Sequence, residues 1–435
     1  MNNQLTIIRS LDPYHQRAGY LAALSLCMQR GLDTKEAVRS RLKDMVWKPL
    51  YFDDERLSRA FLNISPHRRK MLDTLVLRRK LEEHPAAILN PESNSSCFIF
   101  ASELWLHQDC MRSPIGFIPE NHVDRILDLA RWTGIMSSTI ELTEVGYILQ
   151  VLLFQEQKKE PILFNPLDIY HRPAIRLLLL RLLLGAEVLW PVLLRELISA
   201  EDKGIALSSR GKSGLLAIAL EYFLSRYSEL SDPADILEIR EVIDFRNTVL
   251  AKDKTQENYL RPRLEILVDL GLIDRLPPKS KKGGRFSWVT TLLSRRLDEV
   301  WSDLSSDCTA IPHFLEDQFF SSMAYVYATE ATKVKDNRIV LLWFARAYEL
   351  VGREIGFTPG RTISLLACLL AFEEGRVLEL SQVFDTVYAA STTEWDQYFR
   401  FSGGSRFDRE FMISVDDGLL VELEKNLANN PEIIV

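Results

Sequence analysis

The stretch RLEILVDLGLIDR, Arg263–Arg275, decides the fold. Leu264, Leu267 and Leu270 recur three residues apart, the spacing of one helix face. Gly271 ends that helix, because glycine tolerates the positive φ by which a chain leaves a helix and reverses. Leu272–Arg275 then reads as extended. The loop Pro277–Gly284 follows, Phe286–Thr290 is extended again, and Leu292–Leu304 returns to helix.

The same order occurs 137 positions earlier. ILDLARWTGIMSSTIELTE, Ile126–Glu144, sets Gly134 on Gly271, Leu127 on Leu264, Ala130 on Leu267 and Ile135 on Leu272. Asn121 is placed to cap the earlier helix, which runs to Trp132; Thr139–Leu142 reads as extended, and Val145–Phe154 as helix or strand.

Outward from these two copies the pattern is mostly helical. Helices are expected at Pro13–Gln29, Thr34–Asp44, Ser65–His84, Ala174–Leu184, Trp190–Ala200, Gly214–Tyr227, Asp232–Lys252, Phe314–Lys333, Ile339–Ile355, Thr362–Glu374 and Ser381–Ala390. Gln397–Phe401 and Phe407–Val415 read as two strands joined by a Gly-rich turn. At 435 residues the chain is too long for one ordinary core. Three blocks are expected, at 1–158, 159–310 and 311–435.

The helix–Gly–strand–loop–strand–helix order resembles the winged-helix superfamily. It is plainest at Arg261–Leu297, in LEILVDLGLIDR and GRFSWVTTLLSRRL, shorter at Asp124–Leu152, and traceable at Thr362–Glu424; together these cover under half of the chain. The resemblance implies a mainly α protein of tandem winged-helix modules carrying small β-hairpins. Members of that superfamily often bind DNA with the third helix and the wing, and many others use the same module for protein contacts.

Charge singles out one wing. Over Arg261–Arg296 nine cations face three acids, Glu265, Asp269 and Asp274, on a chain whose formal net charge is −7. The candidate nucleic-acid contacts are Arg261, Arg263, Lys279, Lys281, Lys282 and Arg285, since Lys and Arg on a loop neutralise phosphates and release their counterions. Arg210 and Lys212 join them from Ser209–Gly214. That segment resembles the end of a phosphate-binding loop, but Ala206 stands where the motif needs a glycine and helix precedes it. A second cluster, Arg68, Arg69, Lys70, Arg78, Arg79 and Lys80, lies on the Ser65–His84 helix.

No catalytic constellation stands out. Cys97, His107, Cys110 and His122 lack the two close pairs of a zinc site. Glu156-Gln157-Lys158, the nearest approach to a metal-nuclease signature, reads as a linker. No metal, cofactor or enzymatic activity is therefore expected. Five scattered cysteines without a CxxC pair suit a reducing cytoplasm. The N-terminus has no charged start followed by a long apolar run. The most apolar stretch, Ile175–Leu197, is interrupted by Arg176, Arg181, Glu187 and Arg195, so no membrane contact is expected.

The function expected is DNA binding, with double-stranded DNA and further proteins as partners, in a prokaryotic regulatory, mobile-element or defence system. The alternative is a scaffold subunit comparable to the kleisins, using winged helices for protein contacts.

Overall fold

The computed structural model describes residues 18–29, 33–47, 120–159, 169, 172–205, 207–208, 214–227, 243, 247, 253–276, 287–352, 357–393, 395–402 and 411–428. The chain is mainly helical with a few small strands. In order these are α1 (Ala18–Cys27), α2 (Lys35–Trp47), α3 (Glu120–Trp132), α4 (Glu144–Lys159), α5 (Pro173–Ala186), α6 (Trp190–Asp202), β1 (Leu207–Ser208), α7 (Leu215–Tyr227), α8 (Asp253–Asp269), β2 (Ile273–Leu276), β3 (Ser287–Thr290), α9 (Leu292–Val300) and α10 (Ser302–Ser306). There follow α11 (Ile311–Asp317), α12 (Phe319–Val326), β4 (Thr332–Lys333), α13 (Asn337–Val351), β5 (Thr358–Pro359), α14 (Gly360–Glu373), β6 (Arg376–Val377), α15 (Leu380–Ala390), β7 (Phe399–Ser402), β8 (Met412–Val415) and α16 (Gly418–Ala428).

One sequence of elements recurs. In a middle unit the described elements run α6, β1, α7, α8, β2, β3 and α9, with 228–252 between α7 and α8 largely outside the described residues, and the strands form an antiparallel sheet in the order β1-β3-β2. In a last unit, α13, β5, α14, α15, β7, β8 and α16 come in the same order, with β6 added between α14 and α15, and the sheet order is β5-β8-β7. In each, the short strand between the first two helices joins the returning arm of the hairpin. The first unit has four described helices, α1 to α4, with 48–119 between α2 and α3 outside the described residues, and its described strand pairing is minimal. Its hairpin is the single bridge Met136↔Leu142, and one hydrogen bond, Asp33 N to Ile140 O at 3.2 Å, stands where the short strand pairs elsewhere.

The two sequence copies match bond for bond. Gly134 and Gly271 have φ of 74° and 71°. Gly134 N donates to Arg131 O and Gly271 N to Val268 O, while Ile135 N donates to Ala130 O and Leu272 N to Leu267 O, at 2.9–3.1 Å. These bonds satisfy the last carbonyls of α3 and α8 as the chain turns. A threonine then ties each hairpin to its returning helix. Thr143 Oγ1 donates to the carbonyls of Gly134 and Ile135 and accepts from Gly146 N. Thr291 Oγ1 donates to those of Gly271 and Leu272 and accepts from Ser294 N. Thr291→Ala removes a cap and two hairpin bonds, so it is expected to lower stability by about 1–2 kcal/mol. Urea unfolding measures this, and an unchanged midpoint would contradict the assignment.

The units share one buried cluster running from Ala18 to Leu427, and α5 lies at its centre. Its sequence PAIRLLLLRLLLGA is apolar on every side, and such a helix is stable only when enclosed. Its two arginines are buried and act as struts. Arg176 Nη2 donates to Leu270 O, just past the end of α8, at 2.7 Å, and its guanidinium lies 4.6 Å over the Tyr327 ring. Arg181 donates to Leu315 O and lies 5.6 Å from the Phe319 ring centre. Burial, then the nearby Arg361, pulls Arg181 down to about 10, so it stays charged at neutral pH. The apolar stretch is thus two helices, α5 and α6, meeting at 103°, and among the described residues no single helix is long and apolar enough to cross a membrane.

The last unit is bolted on by polar contacts. Thr362 Oγ1 donates to Glu144 Oε2 at 2.8 Å, and Lys159 reaches Glu373 at 3.6 Å. The buried Glu379 accepts from Phe320 N at 3.1 Å and Ser321 N at 2.7 Å. Burial pushes Glu379 up, and these bonds pull partly the other way.

Three expectations change. The Phe314–Lys333 helix is two helices broken at Gln318, followed by a turn and β4, which pairs in parallel with β6. Glu156-Gln157-Lys158 is the last turn of α4 rather than a linker. Helix α3 starts at Glu120, so Asn121 lies inside it. The Ser65–His84 helix and its basic cluster lie outside the described residues, as do Cys97, His107, Cys110 and the side chain of His122. Cys27, Cys308 and Cys368 are buried.

Candidate nucleic-acid interface

The middle unit's sheet has two unlike ends. At one, Glu201 of α6 accepts from Thr290 N at 2.9 Å and from the Thr290 hydroxyl. Beside it Asp202 holds Arg295 at 2.8 Å. The Arg295 guanidinium lowers the Asp202 carboxyl, and the carboxylate raises Arg295 in return. Arg296 donates to Val326 O at 3.4 Å. The two arginines that close the basic stretch are therefore occupied within the protein.

At the other end the strands stop in one row. Ser287 of β3 is opposite Leu276 of β2 on one side and Ser208 of β1 on the other. The chain continues from Ser208 into 209–213 and from Leu276 into 277–286, which returns at Ser287. Those segments hold Arg210, Lys212, Lys279, Lys281, Lys282 and Arg285, and no acid. The six residues themselves lie outside the described residues. The described anchors nevertheless bring to one sheet end two cationic segments that the sequence separates by more than sixty positions.

Burial fixes the row in place. Leu207 and Trp288, one step in from it, are in the core. Trp288 Nε1 donates to Glu265 Oε1 at 3.3 Å, which seats the sheet on α8. Arg261 lies one turn before Glu265 on the same face of α8, towards the open end. It is half-buried, and its Nε is buried with no hydrogen-bond partner.

Arg263 departs from expectation. Its side chain is 1% exposed, as is that of Glu187. Nη2 donates to Glu187 Oε1 at 2.7 Å, Nε to Oε2 at 3.2 Å, and Nη1 to Tyr259 O at 2.7 Å. The physical reason is the helical period. Two residues turn a helix by about 200°, so Arg261 and Arg263 point to opposite sides. Position 263 falls with Leu260, Leu264 and Leu267 on the buried face. Arg263 is a core residue and leaves the candidate interface.

Glu187, Glu201 and Asp202 escaped the sequence reading. Glu187 carried a usable signal: a lone carboxylate inside the apolar GAEVLWPVLL implies a buried cation partner. Among the described residues, no group of three or more His, Cys, Asp or Glu side chains is placed to hold a metal.

No family model matches the chain, nor does any curated protein or solved structure.

Proposed function

We propose that this protein binds double-stranded DNA at the open end of the middle unit's sheet, and that each of its three units is a winged helix. The order helix, strand, helix, helix, hairpin, with the first strand on the hairpin's returning arm, supports the winged-helix reading. The DNA reading is carried by the common row of Ser208, Leu276 and Ser287, from which both acid-free cationic segments depart. Arg261 adds a cation on the flank. Cations converging on one edge suit a polyanion whose charges lie about 1.7 Å apart along the duplex axis.

The test is fluorescence anisotropy with a labelled duplex of about 20 base pairs at increasing salt. Binding is expected at low salt and should weaken linearly on a logarithmic scale as counterion release is opposed. Replacing Lys279, Lys281, Lys282 and Arg285 by Glu should abolish it. A protein that fails to bind at about 50 mM salt, or a fourfold variant that binds unchanged, rejects the proposal.

A second reading draws on the shared core. Three units fused around α5 suit a scaffold that presents fixed surfaces to other proteins. Affinity purification from the native host that yields a stoichiometric partner, with no duplex bound in the anisotropy assay, would favour it.

A further inference from the structure

Among the described residues, the most exposed apolar side chains are not scattered. Leu292 is 64%, Tyr325 55% and Ile205 51% exposed, three of the four highest values among the large apolar residues described, and all three lie along α9. The exposed positions of α9 are Leu292, Arg295 and Glu299. They are spaced three and four apart, so they form one face of the helix. Tyr325 of α12 joins that face at its far end, where its hydroxyl donates to Glu299 Oε2 at 2.6 Å. Ile205 joins it at the near end. It comes two residues before Leu207, which pairs with Trp288, and so falls by the Thr290 end of the sheet, next to Leu292. There Asp202 holds Arg295 at 2.8 Å, both side chains being half-exposed. The face therefore reads apolar, cation, anion, apolar: Ile205 and Leu292, then Arg295, then Glu299, then Tyr325. A lone exposed leucine is ordinary on a monomer, whereas a contiguous apolar strip marks a contact surface.

We propose that two copies of this chain pair through this face, with their α9 helices antiparallel about a two-fold axis. The order of residues along the strip selects the partner. A two-fold interface must be complementary to itself, residue i meeting j and j meeting i. Reversing the strip sets Arg295 against the second copy's Glu299, and Glu299 against the second copy's Arg295. It also sets Leu292 beside the second copy's Tyr325, at both ends alike. A parallel alignment would set Arg295 against Arg295. Each charge is already shared with a neighbour in its own chain, Arg295 with Asp202 and Glu299 with Tyr325, so neither is desolvated alone. The face lies at the Thr290 end of the middle sheet, away from the row of Ser208, Leu276 and Ser287. Pairing therefore leaves that row free and is independent of any nucleic-acid contact.

Sedimentation equilibrium of the full chain over a wide concentration range tests the pairing. The mass should rise with concentration towards twice that of the chain. Leu292→Asp puts a charge into the apolar contact twice per dimer and should weaken association at least about 100-fold. Tyr325→Ala, measured alongside, probes the other end of the face should Leu292→Asp not fold. Arg295→Glu alone, or Glu299→Arg alone, sets like charges opposite each other and should weaken association at least about tenfold. The double exchange Arg295→Glu with Glu299→Arg restores opposite charges across the axis and should return to within about threefold of the native chain. That rescue singles out the reversed alignment, because pairing through another face would not produce it. A native chain that stays monomeric throughout overturns the proposal. So does a folded Leu292→Asp or Tyr325→Ala variant that dimerises as tightly as the native chain, or a double exchange as weak as the single ones.

Discussion

Replacing Arg263 by alanine is expected to cost about 3–5 kcal/mol of folding free energy, among the largest single-residue losses this chain can show. Arg263 and Glu187 are each 1% exposed and meet through two parallel hydrogen bonds. The bidentate fork satisfies both carboxylate oxygens, and Tyr259 O takes a third proton. Removing the guanidinium leaves a carboxylate enclosed by leucines. It must then either stay charged without that guanidinium or take up a proton, and both are costly. The double change Arg263→Met with Glu187→Leu removes both charges at similar volume and should recover most of the loss. Denaturant unfolding of the two variants checks this. A single variant within about 1 kcal/mol of the native chain would show that the pair is not enclosed as described. DNA affinity measured well below the unfolding midpoint should be unchanged in the double variant, which separates a core arginine from a phosphate contact.

The second large effect is expected at Gly146. A Cβ built there would lie 2.2 Å from Ile135 O and 2.9 Å from Leu142 Cδ2. The obstacle is backbone, and that carbonyl already accepts from Thr143 N at 3.0 Å. It can retreat only by opening the small hairpin or displacing α4. Gly146→Ala should therefore destabilise by about 3 kcal/mol or more, although alanine is the better helix former by about 1 kcal/mol. The corresponding middle-unit position is Ser294, which is buried, so the close approach belongs to the first unit alone. A thermal melt of Gly146→Ala that matches or exceeds the native transition would refute the contact.

Much of this architecture was written in local pattern. The helix expected at Trp190–Ala200 is Trp190–Asp202, and Leu272–Arg275 is the strand Ile273–Leu276. Gly134 and Gly271, paired from sequence, take the same turn. Other features were beyond local reading. Two-residue strands such as β1 and β5 have no periodicity to detect, because pairing with a distant hairpin defines them. The break at Gln318 has a remote cause too. The Glu379 carboxylate, some sixty residues away, captures the amides of Phe320 and Ser321 and so starts a fresh helix where the sequence would continue the old one. The candidate site was half legible. Its cations were countable along the chain, but counting charge by position put Arg263 beside Arg261 although the helix turns them apart. The common row of Ser208, Leu276 and Ser287 depends on strand register, which no local spacing encodes.

The enclosure of α5 also bears on how such a chain is divided or rebuilt. The helix packs against α4, α11 and α14, and its two arginines finish carbonyl groups that belong to elements more than ninety residues further on. A break on either side of it would strand a greasy rod in water and leave those carbonyls bare. The units thus resemble staves around a hub more than beads on a string. They should melt in one transition, resist proteolytic separation, and accept a transplanted replacement only when the matching side of the hub travels with it.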